Sequence, residues 1–295
     1  MSPDHRAIDP SGAAARLPVT RAVADRRHRA ASTGAVARPI ELPTNASWRP
    51  SWPATIRWEH VFRLVATGGV ALVVARAVVY FVQIPDPAGA VGVDYRLYVG
   101  AASRWLETGV FYEPGQVAGP YHVHSLPAIL YPPVILPMLV PFTVLPAVLY
   151  WLIPGALTLA AFVRMRPAAW SIWVMAVLAA TDAVQGPIFW GTPVFWLMPV
   201  VAWGFLLGWP APIVFLKPTL APFALAGFTR PRSFVAGLLG LALLSIPFWP
   251  LWLDWLAVIR NSDLDATYGL SQVALLLVPT VAWLGRTRSR GTTAA

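Results

Sequence analysis

"ILYPPVILPMLVPFTVLPAVLYWLIPGALTLAAFV", residues 129–163, is the stretch that decides the fold class. It contains no charged residue, and it consists of two apolar blocks of membrane-spanning length, because a helix of about 20 apolar residues crosses the hydrocarbon core of a bilayer. Apolar blocks of this kind recur along the chain. They predict an all-α, polytopic transmembrane helical bundle.

The number of blocks predicts about eight membrane spans. The first block covers about residues 64–82, and a polar region at 83–128 separates it from the others. Several blocks contain proline, and several are joined by only a few residues. The remaining blocks lie at about 129–146, 147–163, 168–184, 188–207, 211–228, 233–253 and 270–285.

Composition agrees with a membrane protein. Of the 295 residues, 57% are hydrophobic and 12% are charged, against roughly 25% charged residues in an ordinary soluble domain. The net charge of +9 comes largely from arginines near the two chain ends, which is typical of flanks beside membrane spans and excludes nucleic acid as the expected partner. The absence of cysteine excludes disulfides and cysteine metal sites.

Arginine counts also predict the domain organisation and the topology. Residues 1–57 are rich in Ala, Arg, Pro and Ser, which predicts a disordered basic cytoplasmic tail. Residues 58–290 form the predicted transmembrane domain. With both termini in the cytoplasm, the polar region at 83–128 becomes the first external loop.

Eight crossings produce one conflict with the positive-inside rule. They place Arg230 and Arg232 inside, as the rule expects, but they place Arg164 and Arg166 outside. Either the block 147–163 is not a full crossing, or this arginine pair binds something anionic.

Asp94 is the first candidate for chemistry, in "DYRLYVGAASRWLETG" (94–109). It stands where a helix would begin, and Gly109 stands where the helix would end. One interpretation is an N-cap, in which the carboxylate accepts bonds from free backbone N–H groups; the other is a carboxylate that meets a substrate. Asp94, Tyr98 and Trp105 share one face, which predicts an amphipathic helix lying in the membrane interface.

Lys217 is the second candidate, and it is the only lysine in the chain. It interrupts the apolar stretch "APIVFLKPTLAPFALAG" (211–227). A cation within a span costs about 2.5–3.5 kcal/mol and generally faces a cavity or an anionic partner, although it can also reach the interface by snorkelling. Pro218 breaks the helix there and favours a cavity. We expect Lys217 on the same outer side as Asp94.

Two further polar groups are weaker candidates. His122 and His124 precede the second apolar block, and without a third ligand at suitable spacing they predict loop residues or substrate contacts rather than a metal site. Asp182 and Gln185 lie in a polar break, "ATDAVQGPIFWGTP", that is also explained by an ordinary turn. The chain has no phosphate-binding glycine loop and no serine nucleophile motif, so no cofactor is predicted.

Four segments in this order resemble the membrane glycosyltransferases of family 87. "DYRLYVGAASRWLETGVFY" is similar to the family's motif after the first span, and "LYPPVILPMLVPFTVLP" is similar to its Tyr-Pro-Pro span. "VQGPIFWG" resembles its Gly-Gln segment with those two residues reversed, and "FLKPTLAPFALAGFTRPRSFVAG" resembles its Lys-Pro span followed by basic residues. The resemblance covers about residues 60–250.

The resemblance implies a fold of the GT-C superfamily and a hexosyltransferase activity. Such an enzyme transfers a hexose, mannose in the similar proteins, from a polyprenyl-phosphate sugar to an extracytoplasmic glycan or glycolipid at the cell membrane. Asp94 matches the catalytic aspartate of the first external loop, and a single displacement implies inversion at the anomeric carbon without a metal. The candidates for binding the donor phosphate or the substrate are Lys217, Arg104, Arg96, His122, His124, Tyr98, Tyr131 and Gln185.

Two alternatives stand beside this hypothesis. Family members usually have more spans after the Lys-Pro segment, so the chain is a minimal enzyme, a fragment or an inactive shortened homologue. The other alternative is a non-enzymatic transporter or lipid-binding membrane protein, in which Lys217 and Asp182 line a path. The enzyme hypothesis expects Asp94 and Lys217 to meet at one cavity.

Overall fold

The computed structural model describes residues 58–83, 87–123, 128–264 and 269–287. The predicted tail at 1–57 lies outside these ranges. The described chain is mostly helical and contains no β-strand, only two isolated bridges. The all-α prediction is therefore confirmed for this part of the chain.

Helices of two kinds build the described chain. The α-helices are α1 (Trp58–Gln83), α2 (Pro87–Ala90), α3 (Val93–Thr108), α4 (Pro114–Ala118), α5 (Leu136–Leu139), α6 (Val148–Met165), α7 (Ala169–Ala179), α8 (Asp182–Trp190), α9 (Leu197–Leu207), α10 (Pro231–Ser245), α11 (Trp249–Asn261) and α12 (Val273–Leu284). The 3-10 segments are Pro133–Ile135, Val140–Thr143, Pro193–Trp196, Ala211–Leu216, Pro218–Thr229, Ile246–Phe248 and Leu270–Gln272.

Proline explains why two apolar blocks do not become long α-helices. The block 129–146 is divided into a 3-10 turn, the single turn of α5 and a second 3-10 turn, each with a proline in its first turn. The block 211–228 becomes two 3-10 segments on either side of Lys217. A proline lacks the backbone N–H and clashes with the preceding turn, so closely spaced prolines prevent a continuous α-helix.

One end of the bundle, which we call the arginine end, joins the last residues of α6, α9 and α12. Pro167 pairs with Arg286 in an isolated antiparallel bridge, and the Thr287 hydroxyl donates to the Arg166 carbonyl at 3.0 Å. The Phe205 ring of α9 stacks on Trp283 of α12 with 5.0 Å between centroids.

The segment 211–229 is a hairpin that leaves the arginine end and returns to it. Thr229 donates a hydrogen bond to the Phe205 carbonyl at 3.1 Å, and Ser233 donates one to the Leu207 carbonyl at 2.6 Å. Ala211, at the start of the hairpin, is also close to Gly204 of α9, where an added Cβ would lie 3.0 Å from the Ala211 Cβ. Lys217 therefore lies at the tip of the hairpin, between its two 3-10 segments.

The opposite end, which we call the α3 end, collects α3, α4, the segment 131–147 and the end of α11. The Gly92 N–H donates to the Phe189 carbonyl at 3.0 Å, which joins the start of α3 to the end of α8. The Tyr121 N–H donates to the Asn261 carbonyl at 3.0 Å, which joins the loop after α4 to the end of α11.

The prediction of about eight spans is wrong. In the described chain only two helices, Val148–Met165 and Pro231–Asn261, are long and apolar enough to cross a membrane, or three if α7 and α8, bent by 64°, count as one span. The shorter apolar stretches Thr67–Val79, Pro133–Thr143, Pro193–Leu207 and Leu270–Leu284 do not reach that length. A count from hydropathy takes every apolar block as a span, but prolines divide several of these blocks into shorter helical segments.

The chain path also corrects the predicted positions of Arg164 and Arg166. Both were expected on the opposite side of the bundle from Arg230 and Arg232. They lie with them at the arginine end, because α6 ends beside α12 and the segment 131–147 stays at the α3 end. The block 147–163 does run from one end of the bundle to the other, and the two pairs of arginines lie at the same end.

The aromatic face of α3 packs against protein. Tyr98, Ala101 and Ala102 are buried in a cluster with residues of the segment 131–147. Tyr98 meets Tyr131 edge to face, with 5.4 Å between the ring centroids. The amphipathic pattern of α3 was predicted, but its apolar side forms part of the core.

Candidate functional site

A cavity of about 820 Å³ opens at the α3 end of the bundle. It brings together polar side chains from several of the apolar blocks and from α3. The polar and aromatic residues in its wall are Asp94, Tyr98, Tyr131, Asp182, Trp190, Thr192, Lys217, Ser271 and Gln272. They come from α3, the start of the segment 131–147, α8 and the turn after it, the hairpin 211–229 and the 3-10 segment before α12, so the site exists only in the folded bundle.

Asp94 lies in the first turn of α3 and does not cap it. The N-cap residue is Gly92, whose φ of 68° is in the left-handed region, and no side chain makes the cap hydrogen bond. The Asp94 carboxylate instead accepts a hydrogen bond from the hydroxyl of Thr192. The N-cap interpretation is therefore wrong, while the helix end predicted at Gly109 is confirmed.

The environment of Asp94 favours a proton-accepting role. Burial raises the pKa of its carboxyl above the ordinary value, while the hydrogen bond from Thr192 and the positive charge of Lys217 both act to lower this pKa. Desolvation disfavours the charged carboxylate, whereas a donor and a nearby cation favour it. A carboxylate with a raised pKa accepts a proton more readily than an ordinary surface aspartate.

The backbone around Gly191 brings Thr192 to Asp94. Gly191 ends α8 with a φ of 72°, a conformation that favours glycine. A Cβ at this position would lie 2.8 Å from the Tyr95 Cβ and 2.9 Å from the Trp151 ring, so the lack of a side chain permits close packing on α3. The Trp151 indole N–H donates to the Ile188 carbonyl at 2.7 Å and holds the same turn.

Lys217 reaches the cavity from the tip of the hairpin. It is 7% exposed, and its extended backbone separates the two 3-10 segments. Its Nζ atom lies 5.5 Å from the centre of the Tyr131 ring, within the range of a cation–π interaction. Asp94 and Lys217 line the same cavity and their charges interact, as the enzyme hypothesis expected.

Three other predicted site residues lie at or near this cavity. Tyr98 and Tyr131 form part of its wall. Gln185 of α8 is not in the wall, but it lies between the wall residues Asp182 and Pro187 of the same helix. Its side-chain amide N–H donates to the Val73 carbonyl at 3.3 Å. Its Oε1 atom accepts no hydrogen bond from the part of the chain that the structure describes.

The two predicted arginines of α3 point elsewhere. Arg96 donates hydrogen bonds to the carbonyls of Gly89 and Val91, which stabilise the turn before α3. Arg104 forms an ion pair with Glu113 and donates to the Phe111 carbonyl at 2.7 Å. Neither side chain belongs to the described wall of the cavity, so both serve the fold of the α3 region.

The predicted histidines are not part of the cavity wall that the structure describes. The Nδ1 atom of the exposed His122 lies 2.9 Å from Oδ2 of Asp263, whose Oδ1 accepts the Val123 N–H at 2.9 Å. These bonds lower the pKa of the Asp263 carboxyl. His124 lies outside the described residues.

The sequence did not predict four of the polar and aromatic residues of the wall: Trp190, Thr192, Ser271 and Gln272. Trp190 and Thr192 belong to the polar break that was interpreted as a possible turn, so their position at the end of α8 was a usable signal. Ser271 and Gln272 begin the last apolar block and carry no such signal. Asp182, which was interpreted as part of a turn or of a transport path, belongs to the wall and pairs with Arg76 at 2.6 Å.

The arrangement combines a carboxylate, a buried cation and an aromatic wall. Such a cavity can hold an anionic group at Lys217 and place a hydroxyl group against Asp94. In the described residues no three His, Cys, Asp or Glu side chains come together as a metal site would need.

Comparison with known proteins adds no relative. No protein-family model, curated protein or solved structure matches this chain. The cavity and its residues therefore carry the functional argument.

Proposed function

We propose that this chain is a membrane hexosyltransferase that takes a sugar from a polyprenyl-phosphate donor. The sugar is mannose by the resemblance to glycosyltransferase family 87, and the acceptor is a glycan or a glycolipid. The observation that carries the proposal is the meeting of Asp94 and Lys217 at one cavity. The GT-C type of fold and the enzymatic activity are both parts of this proposal.

The proposed reaction is a single displacement. The acceptor hydroxyl oxygen attacks the anomeric carbon as its proton moves to the Asp94 carboxylate. The bond between the anomeric carbon and the phosphate oxygen breaks, and its electron pair leaves with the polyprenyl phosphate. Lys217 stabilises the charge that develops on this phosphate. Attack from the face opposite the leaving group inverts the anomeric carbon.

The aromatic residues support a sugar as the transferred group. Tyr98, Tyr131 and Trp190 present rings to the cavity, beside the carboxylate and the cation. Ligand sites are commonly lined by apolar and aromatic side chains with a few polar groups that set orientation. A sugar has both apolar C–H faces and hydroxyl groups, so it suits such a wall.

The arginine end supports an extracytoplasmic cavity. Arg164, Arg166, Arg230, Arg232 and Arg286 lie at that end, against Arg96, Arg104 and Arg260 at the α3 end, and an excess of arginines beside membrane helices generally marks the cytoplasmic side. The Asp94–Lys217 cavity lies at the opposite end. We therefore propose a multi-pass protein of the cell membrane with the cavity outside and both ends of the described chain at the cytoplasmic side.

The test is transfer of labelled mannose from polyprenyl-phosphate mannose by membranes that contain the protein. Wild-type membranes should form a labelled product, and membranes with Asp94→Asn should lose about 100-fold or more of the rate, the usual contribution of general base catalysis. The variant keeps the size of the side chain, so insertion and the amount of folded protein should be unchanged.

Glu107→Gln is the matched control, because Glu107 is exposed on α3 and does not belong to the described cavity wall. It should retain the wild-type rate. Full activity of Asp94→Asn would overturn the mechanism. Flux of a solute across vesicles without dependence on Asp94 would favour the transporter alternative.

A further inference from the structure

A second group of polar side chains lines the cavity on the side of α8. Asp182, in the first turn of α8, belongs to the wall, and so do Ser271 and Gln272 in the 3-10 segment Leu270–Gln272. α8 packs against this 3-10 segment, so the three side chains come from neighbouring elements. The proposed reaction gives none of them a role.

Asp182 is held by an arginine that interrupts an apolar helix. Arg76 lies within the apolar stretch Thr67–Val79 of α1, and its guanidinium group donates to Oδ1 of Asp182 at 2.6 Å. An ionised side chain in such a stretch generally faces a cavity or a partner of opposite charge, because burying it in hydrocarbon costs free energy. Arg76 has such a partner, and that partner lies in the cavity wall.

The Asp182 carboxylate has capacity for a ligand. Its side chain is 61% exposed, and within the described ranges its Oδ2 atom accepts no hydrogen bond. An ionised carboxylate only accepts hydrogen bonds, and its two oxygens have room for several of them. Arg76 balances the charge of Asp182, so the pair attracts a cation only weakly and suits a neutral hydroxyl donor.

Gln272 supplies a second hydrogen-bond acceptor. Its Oε1 atom is buried and accepts no hydrogen bond from the residues that the structure describes. A buried acceptor without a partner costs free energy, so a ligand that brings a donor to it is favoured. The last torsion of a glutamine side chain is soft, so the amide group can turn toward the cavity, in whose wall Gln272 lies. The neighbouring Ser271 is exposed and adds a hydroxyl group.

The 3-10 segment with Ser271 and Gln272 lies beside the buried cation. Gly269, its N-cap residue, is also in the cavity wall, and a Cβ added to it would lie 3.4 Å from the Cε atom of Lys217. Ser271 and Gln272 follow Gly269 closely in the chain. A sugar joined directly to a phosphate at Lys217 would therefore lie within reach of this segment.

We infer that Asp182 and Gln272 bind hydroxyl groups of the sugar that is transferred, and so determine which hexose the cavity accepts. The inference rests on the proposed function, because it takes Lys217 as the partner of the phosphate to which this sugar is joined. Hexoses differ in the directions of their hydroxyl groups, and acceptors at fixed positions reject a hexose that leaves them without a donor. The two carboxylates thus have different tasks: Asp94 receives the proton of the acceptor hydroxyl, and Asp182 binds the transferred sugar.

The test compares two phosphate diesters that differ only in the sugar. One is geranyl phosphate mannose, and the other is methyl geranyl phosphate, which has the same charge and a methyl group in place of mannose. Displacement of radiolabelled geranyl phosphate from the purified full-length protein gives both dissociation constants. The wild type should bind the mannose ester about tenfold or more tightly, because a hydrogen bond to a charged acceptor is stronger than one between neutral groups.

Asp182→Asn and Gln272→Met change the two acceptors one at a time and nearly keep the size of the side chain. Each should reduce the preference for the mannose ester to about threefold or less and leave the binding of methyl geranyl phosphate unchanged. Retained binding of methyl geranyl phosphate also shows that the variant is folded. Asp263→Asn is the matched control, because Asp263 is exposed and lies outside the described cavity wall, and it should keep the wild-type preference.

The outcomes separate the inference from the proposed function. Equal affinities of the wild type for the two diesters, or an unchanged preference in either variant, would overturn the inference and leave the phosphate site intact. Equal weakening of both diesters in the variants would assign the two residues to the fold and would overturn it as well. If the wild type bound neither geranyl phosphate nor either diester, the proposed lipid-phosphate donor and the inference would fail together.

Discussion

The hydroxyl of Thr192 donates a hydrogen bond to the Oδ2 atom of Asp94, although 98 residues separate the two in the chain. This bond joins the end of α8 to the first turn of α3. It holds the carboxylate in the cavity wall and opposes the rise in its pKa that burial causes. Thr192 is thus the positioning partner of the proposed general base.

Replacing Thr192 by Val removes the donor and keeps the shape of the side chain. We expect the pKa of Asp94 to rise further, because the hydrogen bond that lowered it is lost. A general base works only when deprotonated, so the acidic limb of the transfer rate should move to higher pH. The measurement is the initial rate of mannose transfer as a function of pH.

Two variants provide the controls for this shift. Thr192→Ser keeps a hydroxyl group and should restore the wild-type pH profile. Thr143→Val removes a hydroxyl that donates to the Val140 carbonyl at 2.8 Å in the same region of the fold, and it should leave the profile unchanged. An unshifted profile in Thr192→Val would mean that Thr192 does not act on Asp94.

Replacing Lys217 by Gln should weaken the binding of geranyl phosphate. Hydrogen bonds to charged groups contribute about 1.5–3 kcal/mol, so we expect the dissociation constant to rise about 10- to 100-fold. Lys217→Arg keeps a positive charge and should retain more of the affinity. Arg164→Gln removes a cation at the other end of the bundle and should have no effect, so equal losses in both Gln variants would contradict a local phosphate site.

Gly191→Ala should destabilise the protein, because the position has a φ of 72° and an added Cβ would lie 2.8 Å from the Tyr95 Cβ. We expect a loss of about 1–3 kcal/mol in the free energy of unfolding. The measurement is thermal unfolding of the purified protein in detergent.

Two other glycines separate strain from crowding in this experiment. Gly109 has a φ of 77° and nothing within 4 Å of an added Cβ, so Gly109→Ala should show the effect of backbone strain alone. Gly155 lies within α6 with open space around it, so Gly155→Ala should stabilise the protein by about 0.5–1 kcal/mol. Equal losses in Gly191→Ala and Gly109→Ala would show that the contact with Tyr95 tolerates the methyl group.

The proposed orientation predicts which positions an impermeant thiol reagent reaches in intact cells. The chain contains no cysteine, so single substitutions can be labelled without background. Glu107→Cys at the α3 end should react in intact cells. Arg164→Cys at the arginine end should react only after the membrane is permeabilised. The reverse pattern would place the cavity on the cytoplasmic side.

The sequence predicted the parts of the site that have local signals. The end of α3 at Gly109 followed from glycine after an amphipathic stretch, and the break at Lys217 followed from a lone cation before Pro218. That α3 would pack with its aromatic face inward did not follow, because an interfacial helix and a helix on a core have the same periodicity. The two cases differ only in whether lipid or protein covers the apolar face of the helix.

The number of spans and the Thr192 contact could not be predicted for different reasons. A hairpin such as 211–229 is nearly as apolar as a helix that crosses the bilayer, so hydropathy does not tell them apart. Its prolines and Lys217 were the signals of a break. The bond from Thr192 to Asp94 joins two helices that meet only in the folded bundle. The residues that neighbour either side chain in the sequence do not predict such a contact.

The hairpin 211–229 and the segment 131–147 affect the predicted path of the chain in the same way. Each begins and ends at the same end of the bundle, so each was counted as a crossing that does not occur. Removing these two passes from the predicted path leaves the elements after the hairpin at the end of the bundle where they were predicted, whereas α6, α7, α8 and α9 run in the direction opposite to the prediction. The last described helices therefore keep their predicted places at the ends of the bundle while the middle of the bundle is reversed, and Arg164 and Arg166 are the residues at which that reversal is visible.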